Sequence, residues 1–275
     1  MAVVALAGCA GSPGVTTTAL ALQHAWPLQG RKLMLAECDP ARGTVLFGAL
    51  RGQYGDAYTL GNLSVAGRAG QKAFSEAFWR QLLDVSHEKT DPPKSRVILP
   101  GFTDHQQAAG FRPVWGLLSQ MLHGIAANDI DVLVDLGRDG AFGPSEVLAR
   151  QADVMVLVVR TTMPMIRDAV RRLEQLEEHC RRVRVVLIEE DYPDAYVVQE
   201  LRKAAGVRVD LLGTLPLARR EAEVFSKGVD MPRGFARSKL MLAAGSLAAG
   251  LKQELLQASP PGRPPMARAE VGRAR

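Results

Sequence analysis

The stretch Val3-Val4-Ala5-Leu6-Ala7-Gly8-Cys9-Ala10-Gly11-Ser12-Pro13-Gly14-Val15-Thr16-Thr17-Thr18 decides how the rest of the chain is read. Val3–Gly8 is an apolar run of strand length. It enters a turn built on Gly8, Gly11, Pro13 and Gly14, and Thr17–Gln23 continues as helix. A glycine-rich turn between a strand and a helix N-terminus forms an anion cradle. Its backbone N–H groups point inward, and the helix dipole adds positive potential. A hydroxyl at the start of the helix caps it or serves as a Mg²⁺ ligand.

Outward from this turn, strand-length apolar runs alternate with helical segments. Lys32–Ala36, Arg96–Pro100, Asp131–Leu136, Val154–Arg160 and Arg184–Ile188 read as strands, and Val209–Pro216 contains a last short one. Pro113–Ala127, Ile166–Cys180, Ala195–Ala205 and Ser238–Leu256 read as helices. The run Val-Met-Val-Leu-Val-Val from Val154 predicts a strand buried on both faces. Such alternation implies parallel pairing through right-handed crossovers. The expected fold class is α/β: a doubly wound, mostly parallel sheet with helices on both faces. Sheets of this kind bind ligands at the carboxyl ends of their strands. Gly52–Ser95 has weaker periodicity and reads as surface elaboration. One domain is expected over residues 1–257. The Pro/Arg-rich tail, residues 258–275, cannot bury enough apolar surface to order itself.

Composition limits the function classes. With 275 residues, 47% of them hydrophobic and 23% charged, the chain can stabilise a core without disulfides or metals. The net charge of +5 is compatible with contact to nucleic acid or an anionic membrane, without requiring either. Cys9, Cys38 and Cys180 are too few and too scattered for a disulfide framework or a zinc site, which fits a reducing cytoplasm. Cys9 and Cys38 end strands expected to be neighbours. Leu6-Ala7-Gly8-Cys9 has the look of a lipidation box, but no basic n-region precedes it. No run reaches the roughly 18 apolar residues of a membrane span. His24, His87, His105, His123 and His179 show no metal-ligand spacing, and no His/Asp pattern accompanies Thr16–Thr18 to make a hydrolase triad.

Two acidic segments complete the pattern. Glu37-Cys38-Asp39-Pro40-Ala41-Arg42-Gly43 follows the second strand, and Asp131-Val132-Leu133-Val134-Asp135-Leu136-Gly137 contains a later one. With the glycine-rich turn, and with Val154–Thr162, Leu212–Leu217 and Phe225–Pro232 in order behind them, they make the chain resemble the ParA/MinD family of P-loop ATPases over residues 1–257. The resemblance implies binding of ATP or ADP with Mg²⁺. Gly11, Ser12, Pro13, Gly14, Val15, Thr16 and Thr17 would form the phosphate loop, and Pro216 would lie by the base. Thr16, Asp39 and Asp135 would serve the metal, and Asp39 would also position the attacking water. Glu37 stands where the family has a first aspartate. Glu189 or Glu190 falls near the family's adenine-reading asparagine.

The family's two loop lysines fall on Ala10 and Val15. A loop lysine stabilises charge on the transferring phosphate. Without it, binding is expected to be weaker and hydrolysis slow or absent. Arg42, Arg138 and Arg160, near strand ends, are candidates to replace a lysine. The resemblance further implies a homodimer with a protein partner, acting in positioning or partition of a chromosome, plasmid or cellular machinery. A rival expectation is a pseudo-ATPase scaffold, similar to the degenerate TadZ-like proteins that place pilus or secretion apparatus. Arg171, Arg172, Arg181, Arg182 and Arg184, on and after Ile166–Cys180, form a basic cluster suited to non-specific DNA contact, but Glu174, Glu177 and Glu178 share that helix and offset it. The stripe Leu240, Leu247, Leu251 and Leu255 predicts a closing helix packed on the sheet rather than on a membrane.

Overall fold

The computed structural model describes residues 3–9, 14–41, 43–87, 90–206 and 208–258. Its strands are β1 (Val3–Gly8), β2 (Lys32–Glu37), β3 (Leu83–Asp84), β4 (Arg96–Leu99), β5 (Ile130–Asp135), β6 (Val154–Arg160), β7 (Val183–Glu189) and β8 (Leu211–Pro216). They form one sheet in the order β3-β4-β2-β5-β1-β6-β7-β8. All pairs are parallel except β3–β4. The helices are α1 (Val15–Ala25), α2 (Leu63–Ala69), α3 (Gln71–Arg80), α4 (His105–Gly110), α5 (Trp115–Ala126), α6 (Glu146–Gln151), α7 (Met163–His179), α8 (Asp194–Ala205), α9 (Arg219–Ser226) and α10 (Lys239–Ala258).

Alternation along each strand sends side chains into two cores. Val4, Leu6, Leu33, Leu35, Leu133, Val156 and Val158 meet α1, α9 and α10 on one face. Val3, Ala5, Met34, Val132, Val134, Leu157 and Val159 meet α5 to α8 on the other. Every residue of β1 and the first six of β6 are buried, as expected for central parallel strands. Local signals set several helix ends. Pro164 lies in the first turn of α7, where its missing N–H costs nothing. Gly206 closes α8 in the left-handed conformation at φ 64°.

The doubly wound sheet is as expected, and α10 does pack on it. Leu240, Leu247, Leu251 and Leu255 are buried, and α10 lies against α1 and β8. Among the described residues no helix is long and apolar enough to cross a membrane.

Two expectations need correction. Residues 52–95 carry α2, α3 and the antiparallel edge strand β3, and Phe74 and Phe78 insert fully into the core. Cys9 and Cys38 do not sit on neighbouring strands, because β5 runs between β1 and β2. Both are buried apolar groups. Burial pushes the Cys9 thiol up to about 12 and raises Cys38 as well. Residues 259–275, nearly all of the expected tail, lie outside the described residues.

Candidate functional site

The strand order reverses direction around β1, and this is where doubly wound sheets open a crevice at their carboxyl edge. Register brings three chemistry-bearing strand ends together there. Leu6 pairs with Asp135, and Glu37 pairs with Asp135. The ladder continues past the strands. Gly8 N donates to Gly137 O at 2.9 Å, Leu136 N to Leu6 O at 2.9 Å, and Cys38 N to Asp135 O at 2.7 Å. The root of the glycine-rich turn and both acidic segments are thus tied backbone to backbone.

Asp135 is fully buried. Its Oδ1 accepts from Gly137 N at 2.9 Å, and its Oδ2 has no hydrogen-bond partner. Burial is the main cause that pushes its carboxyl up to about 6, and the Asp39 charge adds to it. A hydrogen bond from the Thr16 side chain and the Gly137 N–H oppose the rise. Asp39 is half-buried, accepts from Ala41 N at 2.8 Å, and lies flat on Gly137. Its carboxyl is also raised, chiefly by burial; Asp139 contributes, and the Ala41 N–H and Arg138 oppose.

Glu37 has a different task. Its Oε1 accepts from Thr44 N at 2.6 Å and Val45 N at 3.1 Å, and its Oε2 accepts from Gly101 N at 2.9 Å. It is a buried staple joining the segment after β2 to the segment after β4. Burial pushes its carboxyl up to about 7, with Asp135 adding to the effect.

Two cavities meet at the start of α1. The first, about 350 Å³, is lined by Gly14, Thr17, Ile188, Leu215, Pro216 and Leu240 among others, with Arg160 and Arg219 also in its wall. The second, about 210 Å³, is lined by Gly14 to Thr17, Asp39, Thr44, Gly137, Arg138, Phe225 and Ser226. Gly14, Thr17 and Ser226 belong to both, so the two are lobes of one groove. One lobe is mainly apolar and the other is polar and acidic.

The described residues of the expected site therefore converge. Gly14, Val15, Thr16, Thr17 and Asp39 line the polar lobe, Asp135 stands behind it, and Pro216 lines the apolar lobe. Gly11, Ser12 and Pro13, with Ala10 and Arg42, lie outside the described residues. Val15 is only 3% exposed, and its side chain joins the core between α1 and the sheet. Glu189 is exposed. Glu190 is ion-paired to Arg160 at 3.2 Å and to Arg219 at 4.0 Å. No group of three or more His, Cys, Asp or Glu side chains among the described residues is arranged to hold a metal. A cation here would need further ligands from a bound anion or water.

Sequence reading missed three contributors. Phe225 and Ser226 reach the groove from α9, a helix of 8 residues that the sequence reading left unassigned. Arg172, read as part of a basic cluster, is buried beneath the site. Its Nη1 donates to Gly8 O at 2.8 Å and Arg138 O at 2.6 Å, its Nη2 to Asp139 Oδ1 at 2.8 Å, and its Nε to Asp168 Oδ2 at 2.8 Å. The rest of that cluster is largely paired too: Arg171 with Asp168, Arg184 with Asp210 and Glu254, and Arg181 with Asp153.

No protein-family model matches the chain, and no curated protein matches its sequence. Solved structures do match. The septum site-determining protein MinD from Pyrococcus horikoshii, complexed with Mg-ADP, superposes with a TM-score of 0.68 at 17% identity, over 92% of this chain and 97% of that one. Apo McdA from Cyanothece gives 0.67 at 14% identity, over 91% and 99%. A ParA family ATPase from Chlorobium tepidum gives 0.66 at 14% identity, over 90% and 98%. The chain has the fold of these proteins along nearly its whole described length.

Proposed function

We propose that this chain is a ParA/MinD-like nucleotide-binding protein that serves intracellular positioning or partition, with weak or absent ATP hydrolysis. One observation carries the reading. A fully buried aspartate, Asp135, whose carboxyl interacts with the Thr16 side chain, keeps its Oδ2 without a hydrogen-bond partner, behind the polar lobe of a groove at a helix N-terminus. Leaving a buried carboxylate oxygen unpaired is costly, and a cation would relieve it. Shared fold adds weight, since MinD of this architecture was solved with Mg-ADP.

In this reading the apolar lobe takes the base, against Ile188, Leu215 and Pro216. The polar lobe takes the phosphates on the amides at the start of α1. Thr16 would hold Mg²⁺, with Asp135 and Asp39 in its outer shell, and the ion would neutralise phosphate charge. Asp39 would orient a water. Val15 offers no charge to the phosphates. A missing charge-assisted contact of about 1.5–3 kcal/mol lowers both affinity and transition-state stabilisation. The bound state would then be long-lived, as a homodimer that a protein partner reads.

A second reading, the pseudo-ATPase scaffold, is favoured by the packing at the turn. Val15 is committed to the core, and a Cβ on Gly14 would meet Ile188 Cδ1 at 2.7 Å. Calorimetry with ATP and ADP in the presence of Mg²⁺, on the wild-type chain and Asp135→Ala, separates the two. Micromolar binding that Asp135→Ala weakens supports the switch. No binding up to millimolar nucleotide leaves the scaffold.

A further inference from the structure

We infer that Arg138 makes the cationic contact to the distal phosphates of the bound nucleotide; this rests on the nucleotide-binding reading above. The polar lobe has a charge problem. Asp39 lines it, and Asp135 and Glu37 are buried behind it. A polyphosphate entering such a site needs positive charge beyond the helix dipole and one divalent ion. Among the described residues that line the lobe, Arg138 is the single cationic side chain.

Its position is fixed although its side chain is exposed. Gly137 O accepts from Gly8 N, Gly137 N donates to Asp135 Oδ1, and Arg138 O accepts from Arg172 Nη1. The same Arg172 nitrogen donates to Gly8 O, the root of the phosphate loop. Arg172 is 5% exposed and held by Asp139 and Asp168. One buried guanidinium therefore sets the main chain of Arg138 and that of Gly8 relative to each other. The Arg138 guanidinium itself makes no hydrogen bond or ion pair with the described residues. Its charge acts on Asp39 across the lobe.

The other candidates are placed differently. Arg160 is committed to Glu190 and borders the apolar lobe, and Arg42 lies outside the described residues. An arginine fork suits phosphate oxygens in a way a point charge does not. The polar lobe is the one backed by Asp135, so the phosphates farthest from the base lie there.

The test is calorimetry on the full chain with Mg-ATP, Mg-ADP and inorganic tripolyphosphate, comparing wild type, Arg138→Ala and Arg138→Lys. Arg138→Ala is expected to weaken Mg-ATP about 10- to 100-fold, with a smaller loss for Mg-ADP and Arg138→Lys in between. Wild-type affinity for Mg-ATP in Arg138→Ala overturns the inference and leaves nucleotide binding standing. Equal losses for ATP and ADP overturn the distal placement. Tripolyphosphate binding that depends on Arg138, with no nucleotide binding, supports the contact and removes the nucleotide reading. If wild type binds neither, both fall.

Discussion

At Gly137 the backbone takes φ +61°, and a Cβ built there would clash with the Asp39 carboxylate. Only glycine accepts both the conformation and the approach. Gly137→Ala should therefore displace Asp39 and cost about 1–3 kcal/mol. Denaturant unfolding and Mg²⁺-dependent nucleotide affinity should both show it, and an unchanged midpoint would contradict the packing described. Glu37 gives a pH signature. Its folded pKa of about 7 is above its free value of 4.5, so the native state keeps a proton that the unfolded chain releases. Its stabilising contribution is complete below about 4.5 and is lost as pH rises through about 7. Asp135, at about 6, has the same sign. His24 works in the opposite sense. Burial and its neighbour His87 pull it down to about 4, so it costs stability as pH falls below 6.5. Glu37→Gln cannot titrate, so its urea midpoint should fall less than that of wild type between about pH 5 and pH 8. Parallel profiles would show that Glu37 is ionised throughout.

The elements differ in how far the sequence foretold them. The strands β1, β5, β6 and β7 were legible within a residue or so, because central parallel strands are unbroken apolar runs. The amphipathic helices α7 and α10 were legible for the matching reason. The strand β3 was not, since two residues cannot show a period, and α2, α3 and α9 are only 7, 10 and 8 residues long, too short for a helical period to stand out. At the site, Thr16, Asp39 and Asp135 were singled out through the family resemblance, each within two residues of a glycine or proline, and the structure brings them to one groove. Arg172 was not, because its contact with Gly8 spans 164 residues and only the folded packing of α7 reveals it. The same limit hid the anchor of α10. Lys252 Nζ donates to Asp131 Oδ2 at 2.5 Å, both side chains being 5% exposed, and Trp26 Nε1 and Arg31 Nε complete the carboxylate. Removing one partner of a buried pair leaves the other charge uncompensated. Lys252→Ala should therefore cost about 3 kcal/mol, moderated by the Arg31 contact that remains. Equilibrium unfolding measures this, and a change near zero would mean that apolar packing alone docks α10.

For the whole molecule, the question is whether two cores make one cooperative unit. Chains longer than roughly 150 residues often populate intermediates. Here the cores are not separate bodies, because they are the two faces of the same strands. Val4 and Leu6 belong to one core, and Val3, Ala5 and Ala7 between and beside them belong to the other. A strand cannot leave one face without abandoning the other. Arg172 adds a tie remote in sequence, linking α7 to Gly8 at the end of β1. Native-state hydrogen exchange tests this without altering the chain. Amides at the centres of α10 and α7 should open with the same free energy and the same denaturant dependence, since each requires the sheet to come apart. A markedly lower opening energy for α10 would show that the α1-side layer detaches first. That layer holds the apolar lobe of the groove through Leu240 and the start of α1. Mg-nucleotide binding would then raise the α10 value selectively, by the linkage of ligand to the closed state. A common opening energy instead requires the ligand to raise both values together, because the groove is built from strand ends that serve both layers.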